Sequence, residues 1–432
     1  MGSILELPII DGPVPWILYG LAAAIALYLL LRRPTVRWLV TAAIGLVGGA
    51  AIGAALYFLA NASGAFGDPL PPEVLWWTMA TLAAIGLAIV NLWHSRWWRK
   101  VIASVGIVVF ALTGVVGVNA FYGLNPTIAS LLGVVTDNPI VLPTGTPTAT
   151  NGAPGKPLYE TWKAPAGMPA KGTVGTQTIP ATASGFDARP AGVYLPPAAL
   201  GADAPALPVI VFMMGFPGNP DASYIAATLD EYAAKHNGLA PIAVVADQIG
   251  PSGNDPACAD SRAYGNAQTY ITKDVVAWIK ANLKVIDDPR WWVIGGYSNG
   301  GGCAITYAAT YPELWKNVID ISGEPFPGSE DADSVTQQVY GGDKNAFEAS
   351  KPVNIMAAHP GAYRGMTAAF TAGAEDPTYM DAAKTVSQAA SAAGMTVTNQ
   401  TIPGAGHTGD ALTSGLEITI GAMYPVLGLS AQ

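Results

Sequence analysis

Charge is what this chain has least of. Asp, Glu, Lys and Arg make up 12% of its 432 residues and hydrophobic side chains 51%, where soluble domains usually carry about 25% charged residues. The chain is therefore too apolar to be soluble along its whole length. Cations are scarcer than anions, and the net charge of −9 argues against a polyanion such as DNA or RNA as partner. Cysteine is nearly absent, with Cys258 and Cys303 alone. No Cys/His cluster has zinc spacing, so no metal site is expected. Histidine is almost as rare: His94 lies in the apolar front of the chain, leaving His236, His359 and His407 for chemistry. A G-x-x-x-x-G-K-[ST] loop is missing, and no Rossmann fingerprint with a downstream acid stands out, so no cofactor is expected.

The apolar surplus sits at the front. Four stretches, about 15–31, 38–60, 74–93 and 101–121, approach the roughly 20 residues a helix needs to cross ~30 Å of hydrocarbon. The first follows Glu6 and Asp11 with no basic residue before it, which favours a retained span over a cleaved signal peptide. Residues 1–155 carry six cations in two clusters: Arg32, Arg33 and Arg37, then Arg96, Arg99 and Lys100. The 61–73 loop between them has only Asp68 and Glu73. The positive-inside bias puts both cationic loops in the cytoplasm, with the N-terminus and everything after residue 121 extracytoplasmic. Trp76, Trp77, Trp93, Trp97 and Trp98 lie near span ends, and Gly45, Gly49 and Gly53 form a small-residue stripe suited to close helix packing. The spans hold no charged residue in their interiors, which disfavours an ion or proton pathway.

Past Tyr122 the chain changes character. A Pro/Thr/Gly-rich stretch reads as a spacer, giving a membrane region over 1–125, a linker over 126–155 and a second domain over 156–432. That domain holds 15 Lys/Arg against 25 Asp/Glu. Strand-like pieces begin at Val174. Apolar runs follow at Val209–Met214, Ile242–Ala246, Trp291–Ile294, Val318–Ile321, Thr367–Thr371 and Val397–Ile402. Helical patterns alternate with them near 221–236, 268–284, 302–311 and 378–393. This βαβα order implies a mostly parallel sheet covered by helices on both faces, an α/β class fold.

In open α/β sheets chemistry gathers at the carboxyl ends of strands. The run ending at Gly295 passes into Gly296-Tyr297-Ser298-Asn299-Gly300, a Gly-x-Ser-x-Gly between a strand and a helix, which is the context of a nucleophile elbow. Glu375 and Asp376 follow the Thr367–Thr371 run, and His407 follows Val397–Ile402 in the glycine-flanked Pro403-Gly404-Ala405-Gly406-His407. A serine needs an imidazole to take its proton, and the imidazole needs a carboxylate to fix its tautomer. The expected set is Ser298, His407 and Asp376, with Glu375 as the alternative acid. His359 precedes the acid, in the wrong order, and His236 reads as a cation at a helix C-terminus. The Phe216 and Asn299 backbone N–H groups are the candidate oxyanion donors, since Pro217 cannot donate.

These motifs together resemble a family. Met213-Met214-Gly215-Phe216, Gly-Tyr-Ser298-Asn-Gly-Gly, Tyr311-Pro312-Glu313, Ile321-Ser322-Gly323 and Pro403-Gly-Ala-Gly-His407 look like the putative-esterase branch of the α/β-hydrolases, which includes S-formylglutathione hydrolases and antigen 85 mycolyltransferases. The resemblance covers roughly 174–425 and implies an α/β-hydrolase fold with a serine nucleophile. Antigen 85 proteins carry Met after the serine, Glu as the acid and Trp shortly after the histidine. Here those places read Asn299, Glu375 or Asp376, and Thr408-Gly409, which favours ester hydrolysis over mycolyl transfer.

The function expected is a membrane-anchored, extracytoplasmic serine ester hydrolase acting on an ester or lipid substrate. The alternatives are an acyltransferase on cell-envelope lipids and a non-catalytic envelope scaffold. Cys258 and Cys303, both in an oxidising compartment by this topology, are expected to pair. Oligomeric state, acyl-chain length and acceptor are not legible.

Overall fold

The structure, a computed structural model, describes residues 4–64, 69–134, 138–142, 150–151, 155–251, 253 and 255–431. Asp68, Asn254 and residues 135–137, 143–149 and 152–154 of the proposed linker lie outside the described residues. The chain divides into two compact units, Met1–Val134 and Val135–Gln432.

The first unit holds four long apolar helices: α1 (Pro13–Leu30), α2 (Val36–Ser63), α3 (Pro72–Val90) and α4 (Trp97–Tyr122). All four are long and apolar enough to cross a membrane. Pro sits in the first turn of α1 and of α3, where its missing N–H costs nothing. Thr35 caps α2 by accepting from the Trp38 N–H at 3.2 Å. Gly64 and Gly123 end α2 and α4 in the left-handed conformation. Gly49 lies where α2 meets α3, and a Cβ there would strike the Leu82 carbonyl. The glycine stripe is thus a helix contact. The two cationic loops are joined at one end of this unit: Arg32 donates to Ser95 Oγ and to the His94 carbonyl, and Arg99 donates to Asn91 Oδ1 and to carbonyls of Tyr28, Leu29 and Leu31.

The second unit is built on an eight-stranded sheet. Its strands are β1 (Thr173–Gln177), β2 (Ala191–Leu195), β3 (Val209–Met213), β4 (Ile242–Val245), β5 (Trp292–Tyr297), β6 (Asn317–Ile321), β7 (Thr367–Gly373) and β8 (Thr396–Ile402). They lie in the order β8-β7-β6-β5-β3-β4-β2-β1. From β8 to β4 all neighbours are parallel, while β2 pairs antiparallel with both β4 and β1. The central strands are rich in Val and Ile and buried along their whole length, as a sheet covered on both faces requires. β8 is an edge strand with mostly exposed residues.

The covering helices are α5 (Ser223–Lys235), α6 (Val276–Asn282), α7 (Asn299–Thr310), α8 (Ala332–Gln338), α9 (Lys344–Ser350), α10 (Pro352–Ala358), α11 (Pro377–Ala393) and α12 (Gly409–Val426). Successive strand residues point to opposite faces. Gly301 of α7 lies against the Asp320 side chain, and Gly415 of α12 lies against Ile321, so α7 and α12 cover opposite faces of β6. The fold is that of an α/β-hydrolase, as expected, preceded by the four apolar helices.

Boundaries moved in two instructive places. α7 starts at Asn299 and not near 302, because Gly300, Gly301 and Gly302 run inside the helix. The patterns named in the sequence also stop short of α8–α10, which at seven residues each are too short to show a helical period, and of α12, whose Gly, Ser and Thr content blurs it.

Candidate active site

Parallel register brings the strand ends to one edge: Tyr297 pairs with Ile321, Ile321 with Thr371, and Gly373 with Ile402. Ser298 is the first residue past β5, Asp376 the third past β7, and His407 the fifth past β8. Ser298 has φ +56° and ψ −122°, a conformation strained for a residue with a side chain. The strain lifts Oγ off the strand before α7 begins. Close packing forces the flanking residues to be small: a Cβ on Gly300 would strike the Met213 carbonyl, and one on Gly296 would strike the Gly300 carbonyl. The serine backbone is held as well, its N–H donating to the Ile321 carbonyl at 2.9 Å.

Three of the expected residues meet. Ser298 Oγ lies 2.9 Å from His407 Nε2, and His407 Nδ1 lies 2.9 Å from Asp376 Oδ2. The Asp376 side chain is 10% exposed and that of His407 28%. Asp376 caps α11 through Oδ1, which accepts from the Tyr379 N–H at 3.3 Å, so one oxygen anchors the helix and the other faces the imidazole. Glu375, the alternative acid, is exposed, and its backbone N–H donates to the Ala405 carbonyl. His236 and His359 stand elsewhere. Each ends a helix, with its Nδ1 on the carbonyl four residues back, at Tyr232 and Ile355 respectively.

Several partners of this cluster were not legible in the sequence. His407 lies between two aromatic rings, Tyr297 at 5.1 Å and Tyr379 at 4.0 Å between centroids. The Tyr379 hydroxyl donates to Glu330 Oε1 at 2.8 Å. Tyr297 adjoins the serine and Tyr379 lies three past the acid, a proximity that could have flagged both.

The loop after β3 carries Phe216 and approaches the serine, a Cβ on Gly215 falling 3.1 Å from Ser298 Cβ. Among the described residues, neither the Phe216 nor the Asn299 N–H donates to a protein acceptor. An ion pair holds the far side of this loop. Arg189 grips Asp247 through two nitrogens, at 3.0 and 2.7 Å, and donates to Asn219 Oδ1 at 3.0 Å and the Gly218 carbonyl at 2.9 Å. Every buried oxygen of Asp247 is thereby matched, which a buried carboxylate needs.

Two carboxylates, Asp255 and Glu324, flank the Asn299 side chain, and neither forms a salt bridge among the described residues. Asn299 Nδ2 donates to Asp255 Oδ1 and to Glu324 Oε1, each at 3.3 Å. Burial raises the carboxyls of both Asp255 and Glu324 above their usual range, and the Asp255 charge pushes Glu324 further. Asp320, also buried, is pushed up to about 7, with only the Gly323 N–H opposing. Cys258 and Cys303 form a disulfide with Cα atoms 5.3 Å apart, tying the Asp255 loop to α7. Among the described residues no group of three His, Cys, Asp or Glu side chains gathers as a metal site.

A serine oxygen, an imidazole and a carboxylate in hydrogen-bonded series at the mouth of an α/β sheet define a hydrolase-type site. Comparison with known proteins agrees: residues 187–411, more than half of the chain, match the family described as "Putative esterase", and the chain belongs to that family. It is 36% identical over 249 residues to an uncharacterized protein of Corynebacterium glutamicum, a match spanning 56% of this chain and 57% of that one. The matched part is thus less than two thirds of that relative. Among solved structures it is similar to a ferulic acid esterase, with TM-score 0.50 and 18% identity over 60% of this chain and 100% of that one. An S-formylglutathione hydrolase of Agrobacterium tumefaciens has TM-score 0.50 and 15% identity over 60% and 97%. At such identities these two share the fold.

Proposed function

We propose that this chain is a membrane-anchored serine carboxylic-ester hydrolase whose second unit works outside the cytoplasm. The observation that carries the reading is the series Ser298 Oγ, His407 Nε2, His407 Nδ1, Asp376 Oδ2, with both contacts at 2.9 Å. Ser298 Oγ attacks the ester carbonyl carbon as its proton passes to His407 Nε2. Asp376 holds the Nδ1 proton and stabilises the imidazolium. The carbonyl oxygen becomes an oxyanion facing the Phe216 and Asn299 N–H groups. Collapse breaks the bond to the alcohol oxygen, which leaves with the Nε2 proton, and an acyl ester remains on Oγ. Water then attacks that ester, giving its proton to Nε2. The second collapse returns a proton to Oγ and releases the acid.

Two observations support the outward placement. The cationic loops lie together at one end of the helical unit, as loops on one side of a bilayer would, and cations favour the cytoplasmic side. The Cys258–Cys303 disulfide belongs to an oxidising compartment.

The test is fluorophosphonate labelling together with turnover of p-nitrophenyl esters of graded chain length. Wild-type protein should label and turn over, and Ser298→Ala should do neither. Wild-type turnover on any ester surviving Ser298→Ala would defeat the reading. Transfer of the acyl group to an added sugar or glycerol in preference to water would convert it to an acyltransferase. A reporter fused at residue 150 should be active outside the cytoplasm.

A further inference from the structure

The two proposed oxyanion donors stand on different loops. Phe216 follows β3 and Asn299 opens α7, so their separation depends on something that holds the loops together. Gln248 does this. It lies three residues past β4, is 2% exposed, and reaches both loops with one nitrogen. Its Nε2 donates to the Met214 carbonyl at 2.6 Å and to Asn299 Oδ1 at 3.1 Å. Met214 is two residues before Phe216. Asn299 is the second donor residue itself, and its Oδ1 accepts from Gln248 while its Nδ2 faces Asp255 and Glu324.

We propose that Gln248 is a positioning residue of the ester hydrolase, its amide setting the spacing of the two oxyanion donors by bridging Met214 O and Asn299 Oδ1. The proposal rests on the hydrolase reading above. An –NH2 group is trigonal and planar, so its two hydrogens diverge at a fixed angle and the acceptors are held at a fixed separation. Neither acceptor is easily satisfied otherwise, because the site is buried and an unmatched buried carbonyl is costly. The oxyanion forms only in the transition state. Donors held at the wrong separation therefore slow the chemical step and leave ground-state binding nearly untouched.

The test uses the full chain, with a p-nitrophenyl ester that wild type cleaves and Ser298→Ala does not. Gln248→Met keeps the volume and removes both hydrogen bonds. Its kcat should fall about 10- to 100-fold, up to the scale of a misplaced group and short of the roughly 100- to 1000-fold of a lost oxyanion donor, with KM changed less than about threefold. Gln248→Glu adds a readout that a purely structural role would not give. A neutral carboxyl can donate one hydrogen bond and a carboxylate none. The ratio of Gln248→Glu to wild-type kcat should therefore fall as pH rises, while the Gln248→Met ratio stays flat. Gln248→Met at wild-type kcat, or with a raised KM alone, overturns the proposal. Should Gln248→Met fail to fold, the Glu variant decides, and a pH-independent ratio for it overturns the proposal. Wild-type protein that neither labels nor turns over would instead overturn the hydrolase reading itself. Turnover lost in Ser298→Ala but unchanged in Gln248→Met removes only the role given to Gln248.

Discussion

Val47 in α2 is 69% exposed and Val211 in β3 is not exposed at all. The same side chain faces outward in one unit and inward in the other, and the contrast runs through both. The helical unit turns large apolar residues such as Trp16, Ile44 and Leu59 outward and keeps small ones where helices meet. The hydrolase unit buries its Val, Ile, Phe and Tyr and gathers polar side chains at the strand ends, where Asp247, Gln248, Ser298, Asn299, Asp320 and Glu324 are all buried. The comparison teaches where each unit obtains its stability. In water, apolar burial drives packing at about 25 cal/mol per Å². For four helices that span a bilayer, as proposed above, that term vanishes between them, and close backbone approach through small residues takes its place. It also separates function: among the described residues, the buried Asp and Glu side chains lie in the second unit.

The largest effect expected follows from that separation. Ser298→Ala or His407→Ala should lower kcat by about four to six orders of magnitude, because the members of such a series act as a unit. Asp376→Asn should cost about 10⁴-fold by favouring the wrong imidazole tautomer. Glu375→Gln should stay within about twofold of wild type, since Glu375 is exposed and it is Asp376 that meets His407. The measurement is ester turnover beside the melting temperature. A loss of activity in Ser298→Ala that follows a loss of folded protein would remove the distinction between site and scaffold.

How much of this could be read in advance depended on distance along the chain. Ser298, Asp376 and His407 are 109 and 31 residues apart in their pairings, yet each could be placed because strand, turn and helix patterns are local and parallel strands put their ends at one edge. The sheet and the four apolar helices were legible for the same reason. Gln248, Arg189 and Tyr379 were not. Their contacts, such as Gln248 to Asn299 across 51 residues and Arg189 to Asp247 across 58, carry no periodic signal. The start of α7 was missed because Gly300 and Gly301 read as a turn, whereas they lie inside the helix, packed against Met213 and Asp320.

Reduction of the Cys258–Cys303 bond should come next in size. It closes a loop of 45 residues, worth about 4 kcal/mol in the chain-entropy picture. Cys258→Ala with Cys303→Ala should lower the melting temperature of the hydrolase unit and leave the helical unit unchanged. Mass spectrometry finding two free thiols in unreduced protein would remove both the bond and its support for an outward-facing unit.

A pH dependence of stability should likewise belong to the hydrolase unit. Asp320 is pushed up to about 7 by burial, while an unfolded Asp titrates near 3.9. Between these values the folded state holds a proton that the unfolded state has lost. Stability therefore falls as pH rises through this window, by about 1.4 kcal/mol per pH unit at most. Asp255 and Glu324, raised in the same direction, add to the slope. Asp320→Asn should flatten the fall in melting temperature between pH 5 and 8, by about 2 kcal/mol in stability. An unchanged slope would mean that Asp320 is ionised in the folded protein.

The smallest effect tests the helical side of the comparison. If close backbone approach holds α2 to α3, then a single methyl group at the contact should matter and one beside it should not. A Cβ on Gly49 would press on the Leu82 carbonyl, whereas one on the adjacent Gly48 would meet nothing within 4 Å. Gly49→Ala should therefore destabilise the helical unit by about 1–3 kcal/mol, the usual cost of overpacking. Gly48→Ala should be neutral or slightly stabilising, because alanine favours the helix by up to about 1 kcal/mol. Thermal loss of helix in detergent, followed by circular dichroism, reads the difference, with ester turnover as the parallel record of the other unit. Equal behaviour of the two variants would show that the α2–α3 contact gains nothing from its small residues, and the contrast between the units would then rest on exposure alone.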